Sequence, residues 1–171
     1  MNAKQLEVVE IVANRLIRQL SGAAEARVDN DDALRWMVHG GPGTGKSHVL
    51  KTIRDELFVG VMGWTPGVEF QVVALQAVTA ALIDGDTIHH ACGLVPAQFR
   101  RGKQADEFGM SQLDVAKKML RWEWLLIDEI GMVSARLLAD LDMQLRGKIR
   151  NVAGSKRTCA GGIGRSEDLT F

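Results

Sequence analysis

Residues Gly40-Gly41-Pro42-Gly43-Thr44-Gly45-Lys46-Ser47 match the pattern G-x-x-x-x-G-K-S/T without adjustment, and no other stretch restricts the possible folds as tightly. Glycines let successive backbone N–H groups converge on phosphate oxygens without side-chain obstruction. The chemistry needs a strand before the loop and a helix after it, so that the positive helix end meets the same anion. Both are present: Leu34 to Val38 is a short apolar strand pattern, and residues 46 to 58 read as a helix. Lys46 then reaches the β- and γ-phosphates, and the Ser47 hydroxyl sits on Mg²⁺. The sequence therefore predicts an ATP site with Mg²⁺, gripped by Gly40, Gly41, Pro42, Gly43, Thr44, Gly45, Lys46 and Ser47.

The acidic half of such a site stands further along. Trp124-Leu125-Leu126-Ile127-Asp128-Glu129 is an apolar strand that delivers two carboxylates at its C-terminal end, the edge where ligands bind in open α/β sheets. Asp128 can hold Mg²⁺, directly or through water, and Glu129 can orient and deprotonate the attacking water. Phe70 to Leu75 is another strand candidate. Helical patterns fall at Thr79 to Ile83, Thr87 to Cys92, Ser111 to Arg121 and Ser134 to Ile149, the last with Leu137, Leu138, Leu141 and Leu145 on one side. Strands alternating with helices predict a parallel α/β sheet flanked by helices.

The first helix, residues 3 to 20, is expected to turn Leu6, Val9, Ala13, Leu16, Ile17 and Leu20 to one face, with Asn2 as its cap. Trp36 and Trp124 fall on strands and are expected in the core; Trp64, in a turn, is expected to be the most exposed. Lys plus Arg equals Asp plus Glu at 21 each, so net charge argues neither for nor against a nucleic-acid partner. Cys92 and Cys159 lie far apart with no CxxC pair, which argues against a disulfide framework and a structural zinc site. No apolar run reaches membrane-spanning length. His39 and His48 flank the phosphate loop without metal-ligand spacing.

Several blocks together resemble the petite-integration-frequency (PIF) helicases, superfamily-one class-B motors that move 5′-to-3′ on DNA. Asn2-Ala3-Lys4-Gln5, opening a helix, is similar to the glutamine motif of superfamily-one helicases. Ala74 to Leu94, ALQAVTAALIDGDTIHHACGL, is similar without gaps to the family block APTGxAAxxxGGxTIHSxxGL. Ile127 to Leu138, IDEIGMVSARLL, is similar to IDEISMVSxxLL. The resemblance implies a P-loop NTPase with a RecA-like sheet, incomplete at its C-terminus: a partial motor domain over 1–150 and an irregular tail over 151–171. It implies that Gln5 reads adenine, that Lys46 and Glu129 are catalytic, and that Thr87 and His89 contact the sugar-phosphate of single-stranded DNA. Such contacts are largely independent of base sequence. The family's Pro-Thr dipeptide is Leu75-Gln76 here, so Gln76 stands where a threonine would touch DNA phosphate; Gly131 replaces a serine. The resemblance further implies work in the nucleus or another DNA-containing compartment, in repair, recombination or telomere maintenance, with no membrane partner.

In the family the next strand carries a GD-x-x-Q motif that senses the γ-phosphate, and it lies between the phosphate-loop strand and the acidic strand. The tail offers Ala160-Gly161-Gly162-Ile163 and then no apolar strand. A second RecA-like domain with arginine fingers is not seen either. The expectations are a sheet with a gap or a rearranged neighbour at that place, no unwinding by the isolated chain, and very slow hydrolysis, since an arginine finger contributes roughly 10³ to 10⁵ in rate. Two other readings compete: a nucleotide-binding module without turnover, and a small P-loop kinase whose lid would be Arg100-Arg101-Gly102-Lys103. A solvated charge run explains that segment better.

Overall fold

Helices and strands alternate along the chain, as the sequence predicts. The computed structural model describes residues 1–21, 34–94, 112–152 and 167–170. In order these form α1 (Ala3–Leu20), β1 (Trp36–His39), α2 (Lys46–Thr52), a π-helical continuation (Ile53–Val61), β2 (Phe70–Ala74), α3 (Ala77–Leu82), β3 (Asp86–Thr87), α4 (Ile88–Cys92), α5 (Gln112–Met119), β4 (Trp124–Asp128), a 3-10 turn (Ile130–Met132), α6 (Ala135–Val152) and β5 (Glu167–Thr170). All strand pairings among these residues are parallel. The chain forms two units, Met1–Gly63 together with Thr158–Phe171, and Trp64–Arg157. The candidate lid Arg100–Lys103 and the Ala160–Ile163 segment lie outside the described residues.

In the first unit, Asn2 and Gln5 close both halves of a capping box on α1. The buried stripe of α1 is Gln5, Val8, Val12 and Leu16, at four-residue steps after the first. This corrects the predicted face: Leu6, Ile17 and Leu20 are exposed, and Val9 and Ala13 only half-buried. Gln5, on the buried stripe, is also tied to the phosphate loop through the bond from its Nε2 to the Thr44 carbonyl. The helix after the loop also departs from expectation, running past residue 58 to Val61 with π winding. Gly60 suits that winding, since a Cβ there would sit 3.1 Å from the Asp55 carbonyl oxygen, five residues back.

β1 pairs with β5 in register from Trp36↔Glu167 to His39↔Thr170. Within the span expected to be an irregular tail, Glu167–Thr170 form a strand, while 153–166 and 171 lie outside the described residues. The signal sought was an apolar run, whereas Glu-Asp-Leu-Thr is held by backbone bonding to the open edge of β1, which asks nothing of side-chain polarity. Likewise α6 continues to Val152, two residues past the predicted end of the ordered domain.

In the second unit the strand order is β3-β2-β4. β2 is buried at all five positions, as a central parallel strand must be. Around it pack Ile88, Ala91 and Cys92 of α4, Val115 and Met119 of α5, and Leu141 of α6, with Leu137, Leu138 and Leu145 against them. The predicted apolar side of α6 therefore does face this core. Gly85 is required by a close approach: a Cβ there would lie 2.6 Å from the Val72 carbonyl oxygen. Trp122 donates its indole N–H to the Gly67 carbonyl at 3.2 Å, and Lys118 lies 5.9 Å from its ring centroid. All four tryptophans are half-buried. Trp36 and Trp124 are thus less enclosed than predicted and Trp64 more so. Among the described residues, no helix is long and apolar enough to cross a membrane.

Candidate active site

The phosphate loop leaves β1 at His39 and enters α2 at Lys46. Gly43 and Gly45 hold positive φ angles of 74° and 85°, conformations that cost a side-chain-bearing residue about 1–2 kcal/mol. Thr44 donates its hydroxyl to the Gly41 carbonyl at 2.9 Å, bracing the turn from within. The Lys46 ammonium donates to the Gly40 and Gly41 carbonyl oxygens at 2.8 and 2.9 Å, so it lies over the loop itself. Pro42 and Gly43 are exposed, while Thr44 through Ser47 are half-buried.

Gln5 braces the loop from α1. Its backbone N–H donates to Asn2 Oδ1 at 2.8 Å, and its Oε1 accepts the Asn2 N–H at 2.8 Å. Its Nε2 then donates to the Thr44 carbonyl at 2.8 Å, across 39 residues of sequence. A Cβ on Gly45 would stand 2.5 Å from that same Nε2. Glycine at 45 is thus demanded twice, by its backbone angle and by the Gln5 amide. The loop's positive-φ glycines and its overlying ammonium fit a polyphosphate. The Ser47 hydroxyl, at the second position of α2, fits the cation that accompanies one.

The acid pair belongs to the second unit. Asp128 ends β4 and is 6% exposed; its Oδ1 accepts the Glu129 backbone N–H at 2.9 Å. Glu129 is exposed and adopts left-handed angles, φ 56° and ψ 40°. A non-glycine residue held there is strained by about 1–3 kcal/mol, and such strain clusters at functional sites. A buried hard oxygen donor next to an exposed carboxylate fits a hydrated divalent cation and a water to be deprotonated. Among the described residues, no group of three or more His, Cys, Asp or Glu could hold a metal by protein ligands alone.

The register of the three-stranded sheet adds a link the motifs alone do not give. Ala74 pairs with Thr87 on one side and with Asp128 on the other. At about 4.8 Å between neighbouring strands, Thr87 and Asp128 lie about 10 Å apart in one row at the C-terminal edge. Gln76, at the N-cap of α3, follows Ala74 by two residues, is exposed, and makes no side-chain cap bond. Thr87 caps α4, its hydroxyl accepting the His90 N–H at 3.2 Å. His89 is half-buried, and that desolvation pushes its pKa below the ordinary 6.5.

Sequence reasoning passed over Asp86 and His90. Asp86 Oδ1 accepts the Thr87 N–H at 2.7 Å, while Oδ2 lies 2.5 Å from His90 Nδ1. The signal was present as an acid four residues before a histidine, at a strand-to-helix junction.

A strand, a glycine loop, a helix and a carboxylate-tipped parallel strand define a P-loop NTPase. The model of the PIF1-like helicase family matches residues 17–164. The chain belongs to the PIF1-like helicase family. A search of curated proteins finds no match. Among solved structures, the chain resembles the Pif1 helicase of Candida albicans with a TM-score of 0.64 at 19% identity, covering 100% of this chain and 40% of that one. It also resembles a double mutant of the Bacteroides Pif1 helicase, TM-score 0.57 at 20% identity, covering 100% of this chain and 31% of that one. The Bacteroides sp. Pif1 in complex with ADP-AlF4 gives the same TM-score and identity over 99% and 31%. These likenesses carry the fold. The chain spans well under half the length of each.

Proposed function

We propose that the chain is the nucleotide-binding portion of a 5′-to-3′ DNA helicase that couples ATP hydrolysis to movement along single-stranded DNA. The observation that carries the reading is the row Thr87–Ala74–Asp128. Asp128 and Thr87 share one row at the C-terminal edge of the sheet, which supports a link between the acid assigned to Mg²⁺ and the block resembling the family's DNA contacts.

Gly40 through Ser47 hold the triphosphate, and Lys46 exchanges its bonds to the Gly40 and Gly41 carbonyls for phosphate oxygens. Gln5 Nε2 and Oε1 each keep one hydrogen-bonding position beyond those used on Thr44 and Asn2. A donor and an acceptor side by side match the N7 and N6 edge of adenine. Ser47 and Asp128 are each assigned to Mg²⁺, which would neutralise charge on the phosphates when bound. Glu129 takes the proton of the attacking water. Gln76, Thr87 and His89 touch the DNA strand through its sugar-phosphate. The reading assigns the work to a DNA-containing compartment such as the nucleus, with repair, recombination and telomere maintenance as candidate processes.

The test is ATP turnover by the purified 171-residue chain, with and without oligo-dT, alongside ADP binding in Mg²⁺. The expected result is clear ADP binding and slow turnover that DNA raises, because an arginine supplied from elsewhere contributes roughly 10³ to 10⁵ in rate. Turnover of several per second without DNA would contradict it. The other reading is a nucleotide-binding module without turnover. ADP binding with no DNA-stimulated hydrolysis selects that reading.

A further inference from the structure

We propose that Asn2 is a positioning residue for base selection. By closing the capping box on Gln5 it fixes which way the Gln5 amide faces, and so favours a purine bearing an amino group over one bearing an oxo group; this rests on the reading above in which Gln5 meets the adenine edge.

A glutamine amide exchanges the places of its oxygen and nitrogen by a half-turn about its last bond, where the barrier is low and roughly two-fold. At Gln5 both ends are committed to backbone groups whose sense cannot change. Oε1 accepts the Asn2 N–H at 2.8 Å, and that partner only donates. Nε2 donates to the Thr44 carbonyl at 2.8 Å, and that partner only accepts. A half-turn would set oxygen against oxygen and N–H against N–H, breaking both bonds at once. Gln5 is 9% exposed, so water replaces neither bond in full. The Asn2 side chain completes the lock. Its Oδ1 accepts the Gln5 N–H at 2.8 Å, which closes the first turn of α1 and keeps the Asn2 N–H on Gln5 Oε1. Asn2 is itself exposed, and it acts on the base only through Gln5.

A locked amide discriminates. Adenine offers N7 as an acceptor and N6 as a donor, which Nε2–H and Oε1 meet; an oxo purine such as guanine offers acceptors at both places. With Oε1 fixed, the oxo group faces oxygen. An amide free to turn offers Nε2 to that oxo group instead, and the penalty falls.

The experiment is titration calorimetry of the full chain in Mg²⁺ with ADP and with inosine diphosphate, whose base carries an oxygen in place of the adenine amino group. The wild type should favour ADP by about 10-fold, the value of one hydrogen bond. Asn2→Ala should lower that preference by about 3- to 10-fold. Asn2→Gly removes the same oxygen at less cost to the helix and should lower it likewise. Asn2→Ser keeps a capping acceptor and should retain the preference. Val8→Ala, in the buried stripe of α1 but outside the box, should leave it unchanged. Equal weakening of both nucleotides in Asn2→Ala and Asn2→Gly overturns this proposal and leaves Gln5 as the adenine contact. Equal affinity of the wild type for the two nucleotides overturns the adenine reading of Gln5 along with it.

Discussion

The contact between Gln5 and Gly45 makes a quantitative prediction. Gln5→Ala removes two side-chain hydrogen bonds, to Thr44 O and from Asn2 N, each contributing about 0.5–1.5 kcal/mol net; the loss should be about 1–3 kcal/mol. Gly45→Ala costs about 1–2 kcal/mol for a left-handed alanine. Its Cβ also comes within 2.5 Å of Gln5 Nε2, so the amide must retreat and the Thr44 bond is lost as well, about 1 kcal/mol more. The two single variants therefore each lose the same bond. In the double variant that bond is lost once, and the total should fall short of the sum by about 1 kcal/mol. Equilibrium urea unfolding of the four proteins measures this directly. Additivity within about 0.4 kcal/mol, the scatter of independent sites, would refute the claim that the Gln5 amide lies against Gly45.

Other outcomes follow from the same geometry. Lys46→Ala should weaken ADP binding by about 10- to 100-fold, the value of a lost charge-assisted bond, and also lower stability through the lost bonds to the Gly40 and Gly41 carbonyls; titration calorimetry and urea unfolding check the two. Glu129→Gly relieves the left-handed strain and should raise stability by about 1 kcal/mol while abolishing ATP hydrolysis, so thermal melts and turnover should move in opposite directions. His89 has a folded pKa held below its unfolded value of 6.5 by burial, so the unfolded chain binds more protons in the interval between the two. Stability is then fully present above about pH 6.5 and is lost as pH falls through the folded pKa. Urea midpoints from about pH 5 to 8 should show this fall, and His89→Asn should flatten it.

What could be read from sequence was what the chemistry fixes locally. Phosphate binding demands Gly43 and Gly45 at set places, and a carboxylate at a strand end demands Asp128, so both halves of the site stand out in one dimension. The Asn2–Gln5 capping box is local too. Its extension to Thr44 is not, because a hydrogen bond across 39 residues leaves no periodic trace. β5 was hidden because backbone pairing to β1 leaves no apolar signature. His90 was hidden for a different reason. Matching the chain to a family pattern points to His89, and only the break between β3 and α4 brings His90 onto Asp86.

The proposed function assigns Asp128 to the Mg²⁺ of a bound nucleotide. The most direct measurement is ADP affinity with and without Mg²⁺, in the wild-type chain and in Asp128→Asn. The account predicts tighter binding with Mg²⁺ in the wild type, loss of that gain in the variant, and equal metal-free affinities. A Mg²⁺ gain that survives intact in Asp128→Asn would contradict it.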